Sequence, residues 1–253
     1  MSEIENIYTE ISEVAVLLHN NGWAEKNAGN FSVKLNSQII ANENELANIT
    51  GDYSNLCNCE FVFSGKGRRM RDIACNPAHN TVILKINSTG TAYSYIKDNG
   101  IVPTSELYTH LAIHNMIAKR GSNEKVVMHS HVTELIAITQ FEEFCNQDML
   151  NSILLKMHPE TIMFIPKGIG FVDFAMPGSQ EIAAATIESL KKHTIAIWEK
   201  HGVFGIAPSL NDCYDLIDIV AKSAKIYFMC AQTGVLPKGL TDAQLEELKK
   251  IKF

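Results

Sequence analysis

No stretch of the 253 residues approaches the ~20 consecutive apolar positions that a membrane-crossing helix needs. The N-terminal segment, with Glu3, Glu5, Glu10 and Glu13, lacks the basic start and apolar run of a secretory leader, so the chain reads as cytoplasmic with no membrane partner. Cysteine is sparse and irregular: the six residues at 57, 59, 75, 145, 213 and 230 form no disulfide framework and read as reduced thiols. Cys57-Asn58-Cys59 has no second pair to complete a zinc knuckle and reads as a solvated loop. Basic charge is also short, 22 Lys and Arg against 28 Asp and Glu for a net −6, which excludes nucleic acid as a partner and confines any phosphate recognition to local elements. Repeats, low-complexity tracts and linkers are missing, and 46% apolar content can fill one large core, so residues 1–253 read as a single domain.

What is present alternates helical and strand patterns. Residues 4–20 carry Ile4, Ile7, Tyr8, Ile11, Val14, Ala15 and Leu18 at helical spacing. Phe31, Val33 and Leu35 alternate as a half-buried strand, and 36–59 read as an irregular, Asn-rich excursion. Phe61-Val62-Phe63 is a strand, and 80–87 with 91–96 a hairpin through Ser88-Thr89-Gly90. Pro103-Thr104-Ser105-Glu106 opens a helix to about Lys119, followed by a strand at 125–131 and largely helical residues 133–157. Thr161 to Ile165 reads as a strand, 178–192 as a helix, 195–198 and 203–206 as short strands, and 211–232 and 242–250 as helices. Hairpins mixed with helices predict a mixed or largely antiparallel sheet with helices packed on it.

The chemistry concentrates at His129-Ser130-His131. Residues two apart in an extended strand share a face, so the two imidazoles project together, and His201, in the Lys200-His201-Gly202 turn, offers a third. Three nitrogens with an open position are what catalytic zinc uses, and Glu106, at a helix start, offers a carboxylate, though two hydrogen-bonded histidines at a strand end remain the alternative. His110 and His114, one helical turn apart, lack the glutamate of His-Glu-x-x-His and an adjoining third ligand. His19, His79 and His193 read as surface residues. Anion sites are suggested by the amide-rich Ser64-Gly65-Lys66-Gly67 turn, by Thr104-Ser105 at a helix start, and by Asn27-Ala28-Gly29-Asn30. Singly, each is equally a plain turn or cap.

Taken in order, Asn27-Ala28-Gly29-Asn30-Phe31-Ser32, Ser64-Gly65-Lys66-Gly67, Thr104-Ser105-Glu106, His129-Ser130-His131 and Lys200-His201-Gly202 resemble the class II aldolase/adducin superfamily over about residues 8–232. That superfamily includes sugar-phosphate aldolases and pentulose-phosphate 4-epimerases. The resemblance implies a three-layer α/β/α sandwich around a mixed, largely antiparallel sheet, and a cyclic homotetramer with active sites near subunit interfaces. It implies one Zn2+ per subunit on His129, His131 and His201, with Glu106 as acid/base residue and Glu160 reaching a neighbouring subunit's site. The partner it implies is a small-molecule phosphorylated ketose, its phosphate held around Asn27, Gly29, Asn30, Ser64, Gly65, Lys66, Gly67, Thr104 and Ser105, and the reaction a retro-aldol cleavage. The loop reads Ser64-Gly65-Lys66-Gly67-Arg68 where the superfamily more often carries a threonine and a serine, so backbone phosphate contacts transfer better than side-chain ones. A fuculose-phosphate aldolase, a pentulose-phosphate epimerase, a non-catalytic adducin-like scaffold and a zinc hydrolase using Glu106 stay open as alternatives.

Overall fold

The structure is a computed structural model describing residues 2–39, 47–96 and 100–251. Its strands are β1 (Asn30–Lys34), β2 (Ala47–Asn48), β3 (Glu60–Ser64), β4 (Thr81–Ile86), β5 (Ala92–Tyr95), β6 (Val126–Ser130), β7 (Gly170–Val172), β8 (Ile195–Trp198) and β9 (Gly202–Ala207). The helices are α1 (Glu3–Asn20), α2 (Met70–Cys75), α3 (Pro77–Asn80), α4 (Leu107–Arg120), α5 (Thr133–Ile138), α6 (Gln147–Leu154), α7 (Pro159–Phe164), α8 (Gln180–Leu190), α9 (Leu210–Ala231) and α10 (Asp242–Leu248). All strands join one sheet in the order β2-β5-β4-β3-β1-β6-β9-β8-β7. Every pairing is antiparallel except β7 with β8.

The sandwich follows from side-chain alternation. Phe31 and Val33 of β1, Val126 and Met128 of β6, and Ile195 and Ile197 of β8 face a core shared with α1, α5, α6 and α9. The intervening positions face the other way. Phe61 and Phe63 of β3 meet Leu107 and Leu111 of α4, while Val127, Trp198 and Phe204 meet Ile113 of α4 and Ile182 of α8. Each such large side chain, fully removed from water, contributes roughly 1.5–3 kcal/mol. The expected layered sheet with helices on both faces is therefore present.

Helix ends obey local chemistry. Ser2 accepts from Glu5 N and Glu5 returns to Ser2 N, a reciprocal cap that starts α1. Expectation and structure part at Thr161 to Ile165, which is helix, not strand. Pro159 occupies the first turn, Glu160 suits the helix N-terminus, and Thr161, Ile162 and Ile165 are buried on one side. A short apolar run does not distinguish the two states by periodicity alone. The sequence reading also lacked α2, α3 and β7. In the 36–59 excursion, β2 adds a two-residue edge, and residues 40–46 lie outside the described residues. His193, read as a surface residue, is buried, its Nδ1–H donating to the carbonyls of Lys167 and Gly168. All six cysteines are free thiols, and no helix among the described residues is long and apolar enough to cross a membrane.

Candidate active site

Two adjacent strands carry the histidines. Antiparallel pairing sets Ser130 against Val203 and His129 against Phe204, so the end of β6 lies beside the β8–β9 turn that holds His201. Strand β6 stops at Ser130, and His131 is fixed just beyond it: its N–H and the Ser130 hydroxyl both donate to Trp23 O, at 2.9 and 3.0 Å. Lys200 takes a left-handed backbone (φ 56°), its N–H held by Thr139 Oγ1, which turns the chain tightly enough to present His201. Gly202 is required for the close approach, because a Cβ there would lie 2.4 Å from Ser130 O.

The imidazoles of His129, His131 and His201 converge with ring centroids 4.9–5.2 Å apart, and one nitrogen from each lies within 4.8 Å of the others. His129 Nδ1–H donates to Val203 O at 3.0 Å, leaving Nε2 buried with no partner among the described residues, and His201 Nδ1 is likewise unpartnered among them. His131 Nδ1–H donates to Glu25 Oε1 at 2.7 Å, freeing its Nε2. Burial, followed by the neighbouring His131 and His201, holds His129 well below the ordinary histidine range; burial does the same for His201 in lesser degree. Neutral rings with bare nitrogens pointing at one place are the donor set a divalent metal requires, and the Glu25 contact is the usual outer support of such a ligand. Phe204 stacks on His129 at 4.6 Å and 20°, fixing the ring plane.

Glu106 sits at the N-terminal end of α4, and its Oε2 accepts from Asn30 Nδ2 at 3.0 Å. Asn30 itself pairs with His129 across β1 and β6, so the carboxyl and the histidine cluster share one end of the sheet. Burial raises the Glu106 pKa, opposed by the Asn30 hydrogen bond and by His131. A carboxyl so placed can hold or release a proton nearer neutrality than a solvated one.

The expected anion elements meet at the same end. Ser64 O accepts from Thr104 N, Lys66 N donates to Val102 O, and Gly65 bridges Pro103, which stitches the 64–67 turn to the start of α4. No side chain caps α4; the Thr104 hydroxyl instead accepts from Glu106 N. Ser64 is buried and its hydroxyl accepts from Phe31 N, whereas Lys66, Gly67, Ser105 and Asn27 are exposed. Gly29, at φ 76°, brings its loop against His129 O. Glu160 is not part of the His129, His131 and His201 cluster: it is exposed on α7, its Oε2 accepting from His158 Nδ1 at 2.7 Å.

Sequence reading missed Glu25 and Ser32, as well as a cavity of about 350 Å³ lined by residues including His19, Glu25, Lys26, Arg69 and Arg71. It placed His110 and His114 as a weak metal pair, whereas both are buried and hydrogen-bonded through Ser32 Oγ.

Three imidazoles facing one point, beside a desolvated carboxyl, form a cluster that could hold a metal ion. Residues 9–228 match the Class II Aldolase and Adducin N-terminal domain, and the chain belongs to that family of metal-dependent enzymes and their relatives. It is 36% identical to rhamnulose-1-phosphate aldolase of Bacteroides thetaiotaomicron, over 94% of this chain and 91% of that protein. The enzyme of the same name from Mannheimia succiniciproducens is 34% identical, over 84% of this chain and 82% of the other. A sugar-phosphate aldolase structure from Thermotoga maritima superposes with a TM-score of 0.84 at 30% identity, covering 94% of this chain and all of that one.

Proposed function

We propose that this chain is a zinc-dependent aldolase that reversibly cleaves L-rhamnulose 1-phosphate to dihydroxyacetone phosphate and L-lactaldehyde. The observation that carries the chemistry is the convergence of three histidine nitrogens beside a buried, hydrogen-bonded Glu106. The substrate is supported by the two rhamnulose-1-phosphate aldolases at 34–36% identity. Further support comes from the stretches Gly22-Trp23-Ala24-Glu25-Lys26-Asn27, Met176-Pro177-Gly178 and Trp198-Glu199-Lys200-His201-Gly202, which resemble that enzyme.

His129, His131 and His201 would hold the zinc, which when bound supplies Lewis-acid polarisation of the substrate's carbonyl end. In the cleavage direction the C4 hydroxyl gives its proton to water as the C4 carbonyl forms, the C3–C4 bond breaks, and its electron pair passes to C3 and the C2 carbonyl. C3 then takes a proton and becomes the hydroxymethyl of dihydroxyacetone phosphate. Glu106 is the residue for that proton: desolvation keeps its basicity high, and Asn30 fixes the oxygen that must point at the carbon. The loops that carry Gly29, Gly65, Gly67, Thr104 and Ser105, with Asn27, Asn30, Ser64 and Lys66, would anchor the phosphate and convert remote binding into alignment of the reacting carbons.

The chain would act as a single domain within a cytoplasmic homotetramer, where the exposed Glu160 would serve a neighbouring subunit; mass photometry reports the assembly. The reaction is tested by stripping the metal, restoring zinc and following dihydroxyacetone phosphate release from L-rhamnulose 1-phosphate and L-fuculose 1-phosphate, with epimerisation of L-ribulose 5-phosphate read separately. Zinc-dependent release from the first alone is expected. Preference for another substrate would move the chain to a sister activity, and turnover of none would restore the scaffold or hydrolase reading.

A further inference from the structure

Glu106, His110 and His114 recur every four residues along α4 and so lie on one stripe, facing Asn30 and Ser32, which share one face of β1. Helix and strand interleave as a zipper. His114 Nε2 lies 2.8 Å from Ser32 Oγ, Ser32 Oγ 2.7 Å from His110 Nδ1, His110 Nε2 2.5 Å from Asn30 Oδ1, and Asn30 Nδ2 3.0 Å from Glu106 Oε2. His110, His114 and Ser32 are buried to 2% exposure or less.

The direction of every bond follows from one end. An ionised carboxylate only accepts, so the Asn30 amide N–H faces Glu106 and its carbonyl oxygen faces His110. His110 must then carry its proton on Nε2, which leaves Nδ1 as an acceptor for the Ser32 hydroxyl proton. Having donated, Ser32 Oγ accepts from Nε2–H of His114, whose Nδ1 is the bare end of the chain. Burial keeps both rings neutral, His110 at about 3 and His114 well below its ordinary value, as this pattern needs. Hydrogen bonds aligned this way polarise one another. An amide does not pass a proton on without tautomerising, so the chain orients and does not conduct.

We propose that His114, Ser32 and His110 are positioning residues: a buried one-way relay that holds the Asn30 amide with its N–H on Glu106. The proposal rests on the reading of Glu106 as the acid/base group. Without the relay, Asn30 is free to rotate, and Glu106 loses the contact that fixes its reacting oxygen.

The test uses the full-length zinc-loaded enzyme with His110→Leu, His110→Gln and Ser32→Ala. His110→Leu and Ser32→Ala should lower kcat about tenfold to a hundredfold, with zinc content near wild type. His110→Gln, whose side-chain amide can still donate to Asn30 Oδ1, should recover most of the loss. In crystals, Asn30 should leave Glu106 in the Leu variant and keep it in the Gln variant. Should His110→Leu fail to fold, Ser32→Ala, which removes a single hydroxyl, reads the same quantities. Wild-type kcat in the zinc-bound Leu variant, an equal loss in Leu and Gln variants, or an unmoved Asn30 would each overturn the proposal. If the wild type turns over no sugar phosphate, the activity reading fails and the relay is decided by the Asn30 orientation alone.

Discussion

Gly202→Ala tests the geometry that brings the histidines together. The added Cβ would stand 2.4 Å from Ser130 O, about 1 Å inside the ordinary 3.4 Å contact, and the obstacle is backbone. Gly202 does not have a left-handed φ, so the cost is collision and not conformational strain. Ser130 is tied to Trp23 O and Phe204 is packed in the core, so relief requires β6 and β9 to part where His129 faces His201. Overpacking of this kind costs about 1–3 kcal/mol, which for a chain of this size lowers Tm by about 2–12 °C. Parting the ligands by a fraction of that 1 Å should weaken zinc binding about tenfold to a hundredfold, in the range seen when ligand support is lost. Thermal melts of metal-free protein and competition with a chelator read the two effects separately. A Gly202→Ala protein with wild-type Tm and zinc affinity would refute the reasoning.

Three further outcomes are expected. Glu25→Gln should weaken zinc about tenfold to a hundredfold with Tm unchanged, because the side chain is largely exposed and acts through His131 Nδ1–H; unaltered affinity by chelator competition would remove it from the metal's support. Glu106→Gln should keep stoichiometric zinc and lose about 10²–10⁴ in kcat, and full activity in the metal-replete variant would exclude Glu106 as the acid/base group. The buried His110 is held at about 3 against an ordinary 6.5, so the unfolded chain takes up the proton first. Its contribution to stability is intact above about pH 6.5 and shrinks as pH falls toward 3, costing about 2 kcal/mol by pH 5. Urea unfolding should show the wild type losing more than His110→Gln between about pH 7.5 and 5; equal losses would place the ring elsewhere than in a dry core.

Much of this was legible in the chain because single elements carry it. His129 and His131 advertise themselves by period-two spacing at the end of an apolar run, and the capped α1 by its repeat of buried aliphatics. The 161–165 segment misled because five apolar-rich residues fit strand or helix equally, and only Pro159 tipped the balance. The relay was hidden for a different reason. His110 and His114 show helical spacing, but their partners Ser32 and Asn30 lie some 80 residues earlier, and strand-to-helix contacts leave no local pattern. Glu25 was obscured in the same way, since its partner is 106 residues away.

The central claim, a metal held by His129, His131 and His201 and needed for C3–C4 cleavage, is tested most directly by titrating zinc into metal-stripped protein while following dihydroxyacetone phosphate release from L-rhamnulose 1-phosphate. Activity should rise in proportion to zinc and stop at one ion per chain, and His201→Ala should stay at baseline throughout. Full release from the stripped protein, or a His201→Ala titration that follows the wild type, would contradict it.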